Sequence, residues 1–225
     1  MATSAPDPRI IRLRPKRFAP HPASLAELVN ALDDRANALH CGHDLRKAFA
    51  EDYARHVELV EAMRRAGVFG DAASWVERLM LEQAGHYFRA LDAWDGGDLS
   101  LTPAPWRAVY ARARYEALPA EELSRLSAVV HTAYDLPLAF ARCPFAGIDA
   151  MKARRAYDSM PAFVIAEAAT HGPGLPWRRR ALTSDLSMRA RAWDDGMLLL
   201  DAADAEALRG AFVRMETRVL LRVAG

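Results

Sequence analysis

The sequence predicts an all-α protein, built as a single-domain orthogonal bundle of about eight helices behind an extended N-terminal arm. Three observations lead there. Apolar residues recur at three- and four-residue spacing almost throughout after residue 23. Alternating Val/Ile/Thr runs of the kind that form strands are nearly absent. Capping and breaking residues divide the apolar stripes into helix-sized pieces. The 225 residues suffice for one substantial core, so we expect an arm over 1–23 and one helical domain over 24–225. The arm holds five prolines and shows no periodicity.

The elements follow in order. Ser24 and Glu27 form a capping-box pattern ahead of the stripe Leu25, Leu28, Val29, Leu32, Ala36 and Leu39, which His40-Cys41-Gly42-His43 ends. Asp44 is placed to cap a second helix with Leu45, Phe49, Tyr53, Val57, Val60 and Met63 on its inward face, closing at Gly67. Ser74 and Glu77 repeat the capping pattern before Val76, Leu79, Met80, Tyr87, Phe88 and Leu91, and Gly96-Gly97 stops that helix. Pro105 suits the first turn of a fourth, carrying Trp106, Val109, Tyr110 and Ala113 to about Leu118-Pro119. A fifth starts near Glu121, carries Leu123, Leu126, Val130, Ala133 and Tyr134, and meets Pro137, which either kinks it or begins a new segment. A helix near 149–170 is expected to be interrupted at Pro161, and Pro173-Gly174-Leu175-Pro176 reads as a loop. Two last helices carry Leu186, Ala190, Trp193, Met197 and Leu200, then Leu208, Phe212, Met215, Val219 and Arg222.

Composition excludes several function classes. Hydrophobic residues at 52% and charged ones at 26% describe a chain that folds as an ordinary globular protein. Thirty Lys plus Arg against 29 Asp plus Glu leave a net charge of +1, no global field for nucleic acid or an anionic membrane. Apolar runs such as Met197-Leu198-Leu199-Leu200 are only a few residues long, whereas a membrane span needs about 20 residues. The first residues lack a secretory apolar stretch, and Cys41 and Cys143 make no disulfide framework, so a cytoplasmic protein acting on a small molecule is expected.

Candidate chemistry lies in His–carboxylate pairs four residues apart, because such side chains leave a helix on one face and can converge with pairs from neighbouring helices. Asp52/His56, Glu82/His86 and His131/Asp135 fall within helices, and His40/Asp44 and Glu167/His171 at helix edges. With seven His, chance supplies about two such pairs, and an exposed pair is simply a helix-stabilising contact. His131/Asp135 differs, since it lies among Val129, Val130, Ala133, Leu136, Leu138 and Phe140, where two polar side chains are costly without partners. The alternative is structural: Asp135 caps a helix begun by Leu136-Pro137, and His131 is a satisfied core residue.

If the pairs converge, His131, Asp135, His86 and His56 are candidate ligands for Zn, Mn or Fe. Such a metal brings the pKa of a bound water to about 7, and Glu82 or Asp52 is the carboxylate available to manage its proton. Elsewhere, Cys41 between His40 and His43 is a candidate nucleophile or metal ligand, set against a plain helix-breaking loop. Arg178-Arg179-Arg180 beside Trp177, with Arg9, Arg12, Arg14, Lys16 and Arg17 of the arm, offers a site for phosphate or an acidic partner, set against solvated charge.

His131, Asp135 and the following Leu136-Pro137 resemble part of the zinc motif of the phospholipase C and P1 nuclease group. That group adds a histidine soon after the proline and an N-terminal tryptophan ligand, and this sequence has neither. Asp33-Asp34-Arg35-Ala36-Asn37 resembles the acidic magnesium motif of terpene cyclases, without its second metal motif. A broader resemblance runs from about Asp44 to Leu200. Asp44-Leu45-Arg46 with Phe49 and Tyr53, Trp75-Val76-Glu77-Arg78-Leu79, Pro105-Trp106-Arg107, His131 to Leu138, and Arg191-Ala192-Trp193 are similar to an all-helical, mainly actinobacterial family of unassigned function. That resemblance implies a helical fold and puts its His-x-x-x-Asp-Leu element on His131 and Asp135.

Three functions are therefore expected in turn. The first is metal-assisted hydrolysis of a phosphoryl or carboxylic ester on a small or lipid-like substrate. The second is a metal-independent cyclase or isomerase of specialised metabolism, with His131 and Asp135 as acid and base. The third is a non-enzymatic helical module that binds a small molecule or a protein.

Overall fold

α1 (Leu25–Cys41) starts where the sequence places it: the Glu27 N–H donates to Ser24 Oγ at 3.2 Å, and Glu27 Oε2 reaches back to the Ala23 N–H at 2.8 Å. In the computed structural model, residues 21–116, 118–145, 147–170 and 176–224 are described, with side chains described outside 161–185. Residues 1–20 of the arm expected over 1–23, residues 173–175 of the expected loop and the side chains of Trp177 and Arg178 to Arg180 lie outside the described residues.

α2 (Lys47–Arg65) begins later than expected, because Asp44 spends its carboxylate on the backbone N–H and guanidinium of Arg46 instead of capping the helix. A 3-10 turn (Gly70–Ala72) leads into α3 (Ala73–Asp95), so the Ser74/Glu77 capping box does not form. Glu77 instead accepts the Leu25 N–H at 3.3 Å and ties the start of α1 to α3. α4 (Ala104–Tyr115) has Pro105 in its first turn, as expected.

α5 (Ala120–Val130), a π turn (His131–Asp135) and α6 (Leu136–Arg142) make one continuous helical rod. α7 (Ala150–Thr170) continues through Pro161, where an interruption was expected. An interior proline costs about 3 kcal/mol, and burial of Tyr157 and Met160 just before it works against that loss. α8 (Pro176–Leu200) and α9 (Ala205–Ala224) complete the described elements, which include no strand. None of the described helices is long and apolar enough to cross a membrane.

α1 lies along α2, α6 along α8, and α4 against α9; the π turn touches α3, α5, α6, α8 and α9. The predicted stripes of α1 to α5 are largely buried, with Trp75, Trp106, Tyr87 and Tyr110 among the most enclosed side chains. α8 is rotated relative to its sequence stripe. Ala192, Trp193, Gly196 and Leu199 face inward, whereas Leu186 is 42% exposed. On α9 the buried residues are Met215, Val219 and Val223, with Leu208 exposed.

Candidate functional site

The π turn exists for local reasons. Pro137 cannot donate a backbone hydrogen bond, and its ring collides with the carbonyl four residues earlier in a regular helix, so a wider turn just ahead of it relieves the conflict. The His131 carbonyl then accepts both the Leu136 N–H across the wide turn and the buried Gln83 Nε2 of α3 at 3.1 Å. That side chain pins the distorted turn in place, and the turn carries His131 and Asp135 inward.

His131 Nδ1 lies 3.0 Å from Asp135 Oδ2, and the Trp106 indole N–H donates to both Asp135 oxygens at 3.1 Å. A carboxylate only accepts, so the proton of this bond sits on Nδ1. Nε2 on the other side of the ring is buried and has no hydrogen-bond partner. Asp135 stands at the start of α6 but its side chain makes no capping hydrogen bond there, which counts against the capping alternative. The imidazole is enclosed by aromatic rings: Tyr53 at 4.3 Å between centroids, Phe49 at 5.5 Å and Tyr87 at 6.1 Å. The Tyr53 and Tyr87 hydroxyls are likewise buried without partners, and burial raises both phenol pKa values, so they remain neutral donors.

The other predicted residues are placed differently. His56 and His86 lie half-buried on α2 and α3, each near enough to His131 to interact with it electrostatically, and His86 Nε2 is also buried without a partner. Asp52 is exposed and accepts from Ser124 Oγ at 2.6 Å while pairing with Arg55. Glu82 is half-buried and makes no hydrogen bond to the dyad; its charge acts on Cys143, whose thiol is pushed up to about 11 chiefly by burial. Cys41 is exposed, and His40 Nδ1 lies 2.8 Å from Lys47 Nζ. Asp33 and Asp34 face solvent, while Arg35 turns inward onto Asp92 at 2.6 Å. Among the described residues no three His, Cys, Asp or Glu side chains assemble in a metal-holding group.

Sequence reasoning missed Trp106 and Gln83 as partners of the pair. The available signal was a polar-tipped aromatic on an otherwise apolar stripe, which must find an acceptor once buried. With that geometry in view, the comparisons with known proteins add one match: residues 25–161 fit the model of a family of unknown function, DUF5995. The chain belongs to the DUF5995 family. The matched segment contains the whole His131–Asp135–Trp106 network of this DUF5995 protein and stops short of α8 and α9. No curated protein and no solved structure matches the chain.

Burial pushes the His56 pKa down to about 3, with Arg189 and His131 adding to it, and pushes His86 down to about 4 against the pull of Asp135. Free imidazole titrates near about 6.5, so below that pH the unfolded chain binds protons that the folded chain refuses. The stability these residues contribute is complete above that value and is lost as pH falls toward 4 and 3. The urea midpoint should therefore fall between neutral and mildly acidic pH, and fall less in His56→Gln. An equal fall in both proteins would show that His56 is not a source of it.

Proposed function

We propose that the chain is an acid–base enzyme acting on a small molecule, with His131 Nε2 moving the proton and Asp135 and Trp106 acting as positioning residues. One observation carries this reading: a buried Nε2 without a partner on an imidazole whose Nδ1 is fixed by a doubly anchored carboxylate. The carboxylate sets the tautomer and steadies the cation formed when Nε2 takes a proton. The neutral Tyr53 and Tyr87 hydroxyls suit donation to an oxygen that gains charge in the same step. Proton abstraction followed by isomerisation or cyclisation is the reaction type that these groups perform without further parts. His131 is 5% exposed, so a substrate reaches Nε2 by displacing a covering ring, with Tyr53 the nearest.

A second reading rests on His86 Nε2, which is also buried without a partner. A histidine whose Nδ1 is held by a carboxylate presents Nε2 as metal ligands commonly do. In that case His131 and His86 would bind Zn, Mn or Fe in a hydrolase, with Asp135 orienting its neighbour instead of ligating.

One pair of measurements separates the two. Purified wild-type and His131→Gln proteins are incubated with a metabolite extract and followed by mass spectrometry, and both are subjected to elemental analysis. Compounds turned over only by wild-type protein free of stoichiometric metal support the acid–base reading. Stoichiometric metal lost in His131→Gln and in His86→Gln supports the hydrolase. Identical turnover by wild type and His131→Gln overturns both.

A further inference from the structure

α8 and α9 meet the outer side of the π turn and leave a cavity of about 20 Å³ there. Ala133 of the π turn, Ala192 and Met215 form apolar wall, and three arginines, Arg191, Arg218 and Arg222, line it beside them. Their charges are not equally engaged. Arg218 donates to both oxygens of Asp195, which also lines the cavity, and that pair is electrically neutral. Arg191 and Arg222 make no ion pair or hydrogen bond among the described residues, so the cleft carries two uncompensated positive charges.

We propose that this cleft binds the oxyanion head group, phosphate or carboxylate, of a small organic ligand. A guanidinium offers planar paired donors matched to oxyanions, and two of them from different helices over an apolar floor would hold one head group from both sides. The low-dielectric floor strengthens that attraction relative to open solvent. A space of this size admits about one water-sized atom, so a single ligand oxygen enters while the rest of the ligand lies over the rim. Arg191, Arg218 and Arg222 all fall beyond the family-matched segment, so the site belongs to the C-terminal part of this chain and does not rest on the acid–base reading.

Titration calorimetry of the full chain with inorganic phosphate, phenyl phosphate and benzoate, at about 0.15 M salt to screen diffuse attraction, tests the site. Saturable one-to-one binding of at least one probe is expected, weakened roughly tenfold in Arg191→Gln and in Arg222→Gln. Arg214→Gln, an exposed change on α9 outside the cleft, should leave it unaltered. The ranking of phenyl phosphate against benzoate tells which head group is preferred. Absence of saturable binding by all three probes, or an equal loss in Arg214→Gln, overturns the proposal. Because Arg191 and Arg222 are exposed, their variants should melt like wild type, which circular dichroism checks.

Discussion

Gly196→Ala is expected to destabilise the protein by about 1–3 kcal/mol, read as a lower denaturation midpoint at unchanged slope. In most helices the same change stabilises, since alanine is about 1 kcal/mol better than glycine in a helix interior. Here a Cβ would stand 2.6 Å from Phe140 Cβ, 2.8 Å from Cδ2 and 2.9 Å from Cγ. Phe140 cannot swing aside, because Cβ is fixed to its backbone and its ring is held by Tyr157 at 5.2 Å and Trp193 at 5.1 Å. The helices must separate, and α6 against α8 is among the most extensive packings in the molecule. Gly210→Ala on α9 supplies the contrast. Its new methyl meets only Arg214 Nη1, at 3.2 Å, the end of a flexible side chain, so that variant should keep or gain stability. If both substitutions shift the midpoint alike, the close α6–α8 contact is not what Gly196 provides.

The same glycine explains where sequence reasoning stopped. Periodicity located α1 to α5 because their buried faces are lined by large apolar residues, and Leu28, Val57, Leu79, Val109 and Leu126 are all enclosed as their spacing demands. On α8 the face that packs best is marked by Ala192 and Gly196, which have little hydrophobic weight, so the larger Leu186 and Met197 drew the stripe to the wrong side. Pairing of His131 with Asp135 was legible from their spacing and apolar surroundings. The third member was not, because Trp106 lies 29 positions away and indole looks the same on a stripe whether or not its N–H has work to do. Nor does spacing reveal a π turn, which arises here from Pro137 and from Gln83 reaching across from α3.

Asp135→Ala should cost about 3–5 kcal/mol, because removing one partner of a buried polar pair strands the other. Here two donors are stranded, His131 Nδ1 and Trp106 Nε1, both in the protein interior. Each unsatisfied donor accounts for about 1–3 kcal/mol of that loss. Asp135→Asn should lose less, since its amide oxygen still accepts one bond while its NH₂ faces the remaining donor. The informative companion is the triple variant His131→Leu, Asp135→Leu, Trp106→Phe, which removes every member of the network together. Apolar replacement of a whole buried network is often neutral or stabilising, so this variant should unfold at a midpoint closer to wild type than Asp135→Ala does. Such a result would mean that the fold does not need the pair, and that its polar groups are kept in the core for their chemistry. If the triple variant is instead as unstable as Asp135→Ala, the network is scaffolding, and the acid–base reading loses its physical motive.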